Sequence, residues 1–133
     1  MAMTDNERRK FFRIEVDAPI RFRLIEDKTL KPLTDWMNGS TVDVGLGGIR
    51  IITPMSETEE EILVDKYVHI EISFQLPGVP EAITATAAIK YFLHGATNAE
   101  ASTITFGVSF VSIESSAENA LGDFIRQRID SLG

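Results

Sequence analysis

From Ile20 onward the chain alternates. Ile20, Phe22 and Leu24 are separated by Arg21 and Arg23, the period of a strand with one face buried. The same period returns in "KYVHIEISFQL", over Val68, Ile70, Ile72, Phe74 and Leu76, and stops at Pro77-Gly78. It returns again in "AITATAAIKYFL", which puts Ile83, Ala85, Ala87, Ile89, Tyr91 and Leu93 on one expected face. "TITFGVSFVSI" does the same with Ile104, Phe106, Val108 and Phe110. Two shorter β-branched runs, "STVDV" and "GIRIIT", flank the glycines at 45–48. Between these runs, residues 26–39 are polar, contain Pro32 and Asn38-Gly39, and are expected to form an irregular connection; His94 to Ser102 read as a polar loop.

After this the period changes. Ala117, Ala120, Leu121, Phe124, Ile125, Ile129 and Leu132 follow helical spacing and form one apolar stripe, expected to pack on the core. Ser115 with Glu118 three residues on predicts a capping box at the start of a helix over about 116–132. Glu57, Glu59, Glu60, Glu61 and Asp65 read as a solvated, briefly helical connection, without the spacing of a calcium loop. Six or seven short strands and one terminal helix predict a mainly β protein. The expected architecture is a small antiparallel barrel closed or flanked by that helix.

Composition narrows the function. A chain of 133 residues, 44% of them hydrophobic, is sized for one domain with one core. Without cysteine it has no disulfide or thiol chemistry, and with two isolated histidines it lacks a transition-metal ligand set. No apolar run reaches membrane-spanning length, and the charged N-terminus has no secretory pattern, so a cytoplasmic location is expected. Net charge is −7, yet residues 8–23 hold six cations against Glu15 and Asp17, a surplus of four that leaves −11 for the rest. An acidic body repels DNA and RNA, whereas a local arginine cluster still suits a small anion. No Ser/His/Asp set or Walker loop is present, so no enzymatic activity is expected.

Two stretches carry candidate chemistry. "ERRKFFR" at 7–13 concentrates Arg8, Arg9, Lys10 and Arg13 around Phe11 and Phe12. On its own it is equally a solvated basic tail, but a guanidinium fork matches phosphate oxygens and the N7/O6 edge of guanine. "DVGLGG" at 43–48 is either a strand connection needing glycine or a backbone able to approach a ligand closely. Asp43 is either a turn cap or a carboxylate that accepts from guanine N1–H and N2–H₂. Trp36, in a polar stretch, is either a plug or an exposed contact.

Taken in order, "RKFFR", then "DVGLGGIRI", then alternating strands and a terminal amphipathic helix resemble the PilZ domain family, whose fingerprint is R-x-x-x-R followed by [D/N]-x-S-x-x-G. The resemblance covers essentially the whole chain. It implies a six-stranded barrel with a C-terminal helix as one domain over 9–133; residues 1–8, polar and without periodicity, are expected to be a mobile tail. The resemblance also implies a receptor for cyclic di-GMP that signals to a downstream protein of unknown identity; a homodimer stays open. Arg9 and Arg13 would wrap the ligand, Asp43 would read a guanine edge, and Gly48 would end the second half-motif. Arg8, just before the arginine motif, accompanies an intercalated ligand dimer in this family. The departure is Gly45, where the family has serine. One neutral hydrogen bond is worth about 0.5–1.5 kcal/mol, up to roughly tenfold in affinity. Binding should survive if a water or Gly45's own N–H takes the hydroxyl's place. The alternative is a PilZ-like adaptor that binds no nucleotide and works through protein contacts.

Overall fold

The computed structural model describes residues 13–65, 67–94 and 103–132. Arg8, Arg9 and the rest of the expected tail lie outside the described residues. The strands are β1 (Ile14–Glu15), β2 (Pro19–Glu26), β3 (Met37–Val44), β4 (Gly48–Pro54), β5 (Val68–Phe74), β6 (Ile83–His94) and β7 (Thr103–Ile113). Two helices are described, α1 (Glu57–Leu63) and α2 (Ser115–Leu132).

All pairings are antiparallel, in the order β1-β3-β2-β5-β6-β7-β4. A further β3–β4 pairing closes six strands into a barrel and leaves β1 as an added strip on β3. Closure removes the open edges that an isolated sheet would present. The inward residues of the alternating runs fill the barrel: Phe22, Ile51, Ile70, Ile72, Ile104 and Phe106 are essentially inaccessible to solvent. Phe22 and Phe106 meet edge to face, with centroids 5.5 Å apart. Ala117, Leu121, Phe124 and Ile125 of α2 are buried against this core, as the stripe predicted.

Three local expectations change. Residues 37–39 are not loop; they open β3, with Met37 paired to Phe22 and Gly39 to Ile20. Gly39 is required there because a Cβ would meet the Ile52 carbonyl oxygen at 2.9 Å. The capping box forms at the other helix. Ser56 and Glu59 exchange side-chain to backbone bonds at the start of α1, so the acidic run, briefly helical as expected, is also capped. Ser115 is the first residue of α2 instead of its cap, and the Glu118 N–H donates to the Glu114 carbonyl.

The third change decides the site. The alternation in β6 holds only to Ile89. Ile89 pairs with Val108 and Tyr91 with Gly107, so Lys90 is an extra residue without an opposite number. Such a bulge inverts the side-chain parity beyond it. Tyr91 and Leu93 therefore turn outward, 43% and 60% exposed, instead of joining the core.

Candidate functional site

A second bulge lies in β3. Thr41 pairs with Ile51 and Asp43 with Arg50, leaving Val42 unpaired. Without it Thr41 and Asp43 would share a face. With it, Thr41 stays buried, accepting from the Ala18 N–H and donating to the Val16 carbonyl. Asp43 instead joins the face that carries Arg50. Its carboxylate is nonetheless only slightly accessible, because two guanidiniums cover it.

Arg13 Nε donates to Asp43 Oδ1 at 2.7 Å, and Arg50 Nε donates to Oδ2 at 2.6 Å. An Arg50 terminal nitrogen is in ion-pair contact with the same Oδ2. Both oxygens are thus engaged. The hydrogen bond and charge of Asp43, in that order, push the Arg50 guanidinium further up from its ordinary value, so it is charged at any working pH. Arg13 and Arg50 remain about two-fifths exposed, so each presents its outer edge to solvent.

That edge borders a depression of about 510 Å³ lined by Arg13, Gly47, Gly48, Arg50, Lys90 and Tyr91, with β7 as its floor. Glycine is needed at one point of this lining, and at a second it leaves room for an aromatic ring. A Cβ on Gly48 would sit 1.9 Å from the Val108 carbonyl oxygen, so the β4–β7 seam closes only over a bare backbone. A Cβ on Gly107 would lie 2.3 Å from the Tyr91 ring. Gly107 is opposite both Arg50 and Tyr91, which flank it on neighbouring strands. The ring can therefore lie across the gap, and its hydroxyl adds to the stabilisation of the Arg50 cation. Three cations, one aromatic face and exposed backbone give this depression the chemistry to hold a flat, anionic group.

Of the sequence candidates, Arg13 and Asp43 are brought together, although thirty positions apart. Gly48 is in place for packing, with no unusual backbone angle. Gly45 is buried at the neck of the turn, and its N–H donates to the Gly48 carbonyl at 2.9 Å. That N–H is therefore already committed within the turn. Arg50, Lys90 and Tyr91 were not singled out by sequence. Arg50 stands directly after the glycine motif, but Lys90 and Tyr91 are aimed by a bulge that no periodicity reveals. His94 lies 3.3 Å from Glu60, and no cluster able to hold a metal occurs among the described residues.

The family model for the PilZ domain matches residues 7–127. The chain belongs to the PilZ domain family. No curated protein sequence matches it. Among solved structures it is similar to the Bacillus subtilis inhibitor of motility MotI/DgrA, with TM-score 0.64 and 12% identity over 93% of this chain and 52% of that one. It is similar to apo MrkH of K. pneumonia, with TM-score 0.64 and 13% identity over 91% and 51%. The chain thus spans about half the length of these two. The PilZ domain of YcgR from Escherichia coli, solved with c-di-GMP, matches over 90% of both chains at TM-score 0.59 and 14% identity. At these identities the likeness is one of fold, and this PilZ domain has the closed barrel and terminal helix in common with them.

Proposed function

We propose that this chain is a receptor for cyclic di-GMP, working as a non-enzymatic adaptor. The observation that carries the reading is the Arg13–Asp43 pair. It joins the two half-motifs of a PilZ domain at the rim of a depression that Arg50 and Lys90 make cationic. Similar folds solved with c-di-GMP, from Escherichia coli YcgR and Borreliella burgdorferi PlzA, support it. Arg9 and Arg13 contact phosphate and a guanine edge, Asp43 accepts from a second guanine edge, and Arg8 accompanies a second ligand molecule. Because both Asp43 oxygens are taken, guanine recognition exchanges one guanidinium for the base, and Arg13 is the one freed toward phosphate. The switch expected of residues 1–13 is confined to those before Arg13, which Asp43 already holds: they pass from disordered to ordered as ligand phosphates offset the repulsion among Arg8, Arg9 and Lys10. The ordered segment and altered surface charge are then read by a downstream protein.

Calorimetry on the purified chain tests this. Binding at micromolar ligand in low salt is expected, and no heat at tens of micromolar ends the receptor reading. Arg9→Ala and Arg13→Ala should each cost more than tenfold, as charge-assisted contacts do. Gly45→Ser should tighten binding by no more than about tenfold; a clear loss there would count against this site. One observation favours the adaptor that binds no nucleotide: residue 45 has no hydroxyl, and its N–H is spent on Gly48. Under that reading neither arginine substitution changes any measured heat.

A further inference from the structure

A second depression, about 520 Å³, lies on the outer face of β2, β5, β6 and β7. Arg21 of β2 and Trp36 line it, and Arg23, outside the lining, packs on the same indole. The two guanidinium carbons lie 5.1 and 4.6 Å from the centroid of its ring, so the indole and both cations fix one another. The charges of this groove are unevenly satisfied. Glu71, opposite Arg23 on β5, neutralises it, with its two oxygens 3.2 and 3.4 Å from one guanidinium nitrogen. The Arg23 Nε–H is buried without an acceptor. Arg21 has no carboxylate partner and Glu114, on the opposite wall, has no cation partner among the described residues. Between these ends the floor carries the hydroxyls of Thr84 and Thr86 on β6.

We propose that this groove is a docking site for a partner protein's segment carrying an acidic side chain toward Arg21 and a basic one toward Glu114. Each end of the groove supplies one uncompensated charge of opposite sign, which sets the direction in which a segment lies. A pinned tryptophan beside arginines has the composition of the energetic centre of protein interfaces, and its conformational entropy is already spent. Polyanions are disfavoured because Glu71 and Glu114 face the same space. Both depressions use β6 and β7, but the groove takes residues 84–86 and Ser112, at the start of β6 and the end of β7, whereas the Arg13–Arg50 depression takes Lys90, Tyr91 and residues 107–109, so no lining residue is shared. A partner can therefore occupy one while the other is filled. The inference does not rest on nucleotide binding.

Trp36 is the chain's single tryptophan, so its emission reports on this groove alone. The probe is a synthetic peptide of three glutamates and three lysines separated by two glycines, titrated in low salt. Two controls replace either the glutamates or the lysines by glutamine. The dipolar peptide should change the emission saturably and bind about threefold or more tighter than either control. Arg21→Gln should reduce its affinity to that of the lysine-only peptide, and Glu114→Gln to that of the glutamate-only peptide. Both residues are exposed, and amide spectra verify the fold. The comparison of peptides on the unaltered chain stands even if a variant unfolds. No saturable change, or equal binding of the lysine-only peptide through the acidic body, overturns the proposal. So do amide shifts centred on Arg13, Arg50 and Lys90.

Discussion

Asp43 is a buried carboxylate shared by two half-exposed arginines, and this arrangement sets how the site responds to substitution. An unpaired carboxylate at that depth would be costly, so the two cations are partly redundant for stability while differing for ligand. Arg50→Gln leaves Asp43 its bond to Arg13. It should therefore lower stability by only about 1 kcal/mol, seen as a melting temperature down by roughly 2–6 °C. Affinity for the proposed ligand should fall more steeply, about tenfold, because a cation at the rim is lost. Unchanged affinity in a calorimetric titration would place Arg50 as a holder of Asp43 only.

The elements contribute unequally to the site. The β4–β7 seam at Gly48 has no room for a methyl group, and the obstructing atom is backbone, which cannot swing aside. Gly48→Ala should cost about 3–5 kcal/mol, in the range of severe overpacking, as measured by urea unfolding. By contrast Ser56→Ala, which removes the N-cap of α1 outside the site, should cost only about 1 kcal/mol and leave ligand affinity intact. The capping box is also where spacing alone points to the wrong serine. Ser115-x-x-Glu118 and Ser56-x-x-Glu59 have the same spacing, and only the second has its serine one residue ahead of the helix. The strands themselves were legible, because alternation of large apolar residues records which face is buried. The beginning of β3 was not, since Asn38-Gly39 is a turn-like pair, yet β2 pairs with it.

At the scale of the molecule, ligand binding and folding are linked. Saturating the proposed site at about a hundred times the dissociation constant should stabilise the native state by roughly 2.7 kcal/mol. The melting temperature should rise by about 8 °C for a domain of this size. A chain starting at Arg13 keeps every described strand and helix and should melt near the parent temperature, while losing most of that ligand-dependent rise. Equal rises in both chains, read by thermal denaturation, would separate the ligand site from the N-terminal arginines. No helix among the described residues is long and apolar enough to cross a membrane.

The sequence by itself determined the order of strands and the terminal helix, because burial of alternating or helically spaced apolar side chains is written locally. It also carried both half-motifs, and with them the family. Only the tertiary structure decided which residues meet. The extra residues Val42 in β3 and Lys90 in β6 each reverse the facing of the side chains beyond them. One brings Asp43 onto the face of Arg50, and the other turns Tyr91 out across Gly107. A bulge is defined by a partner strand that lacks the matching residue, so it exists in the pairing and leaves no trace in either strand alone.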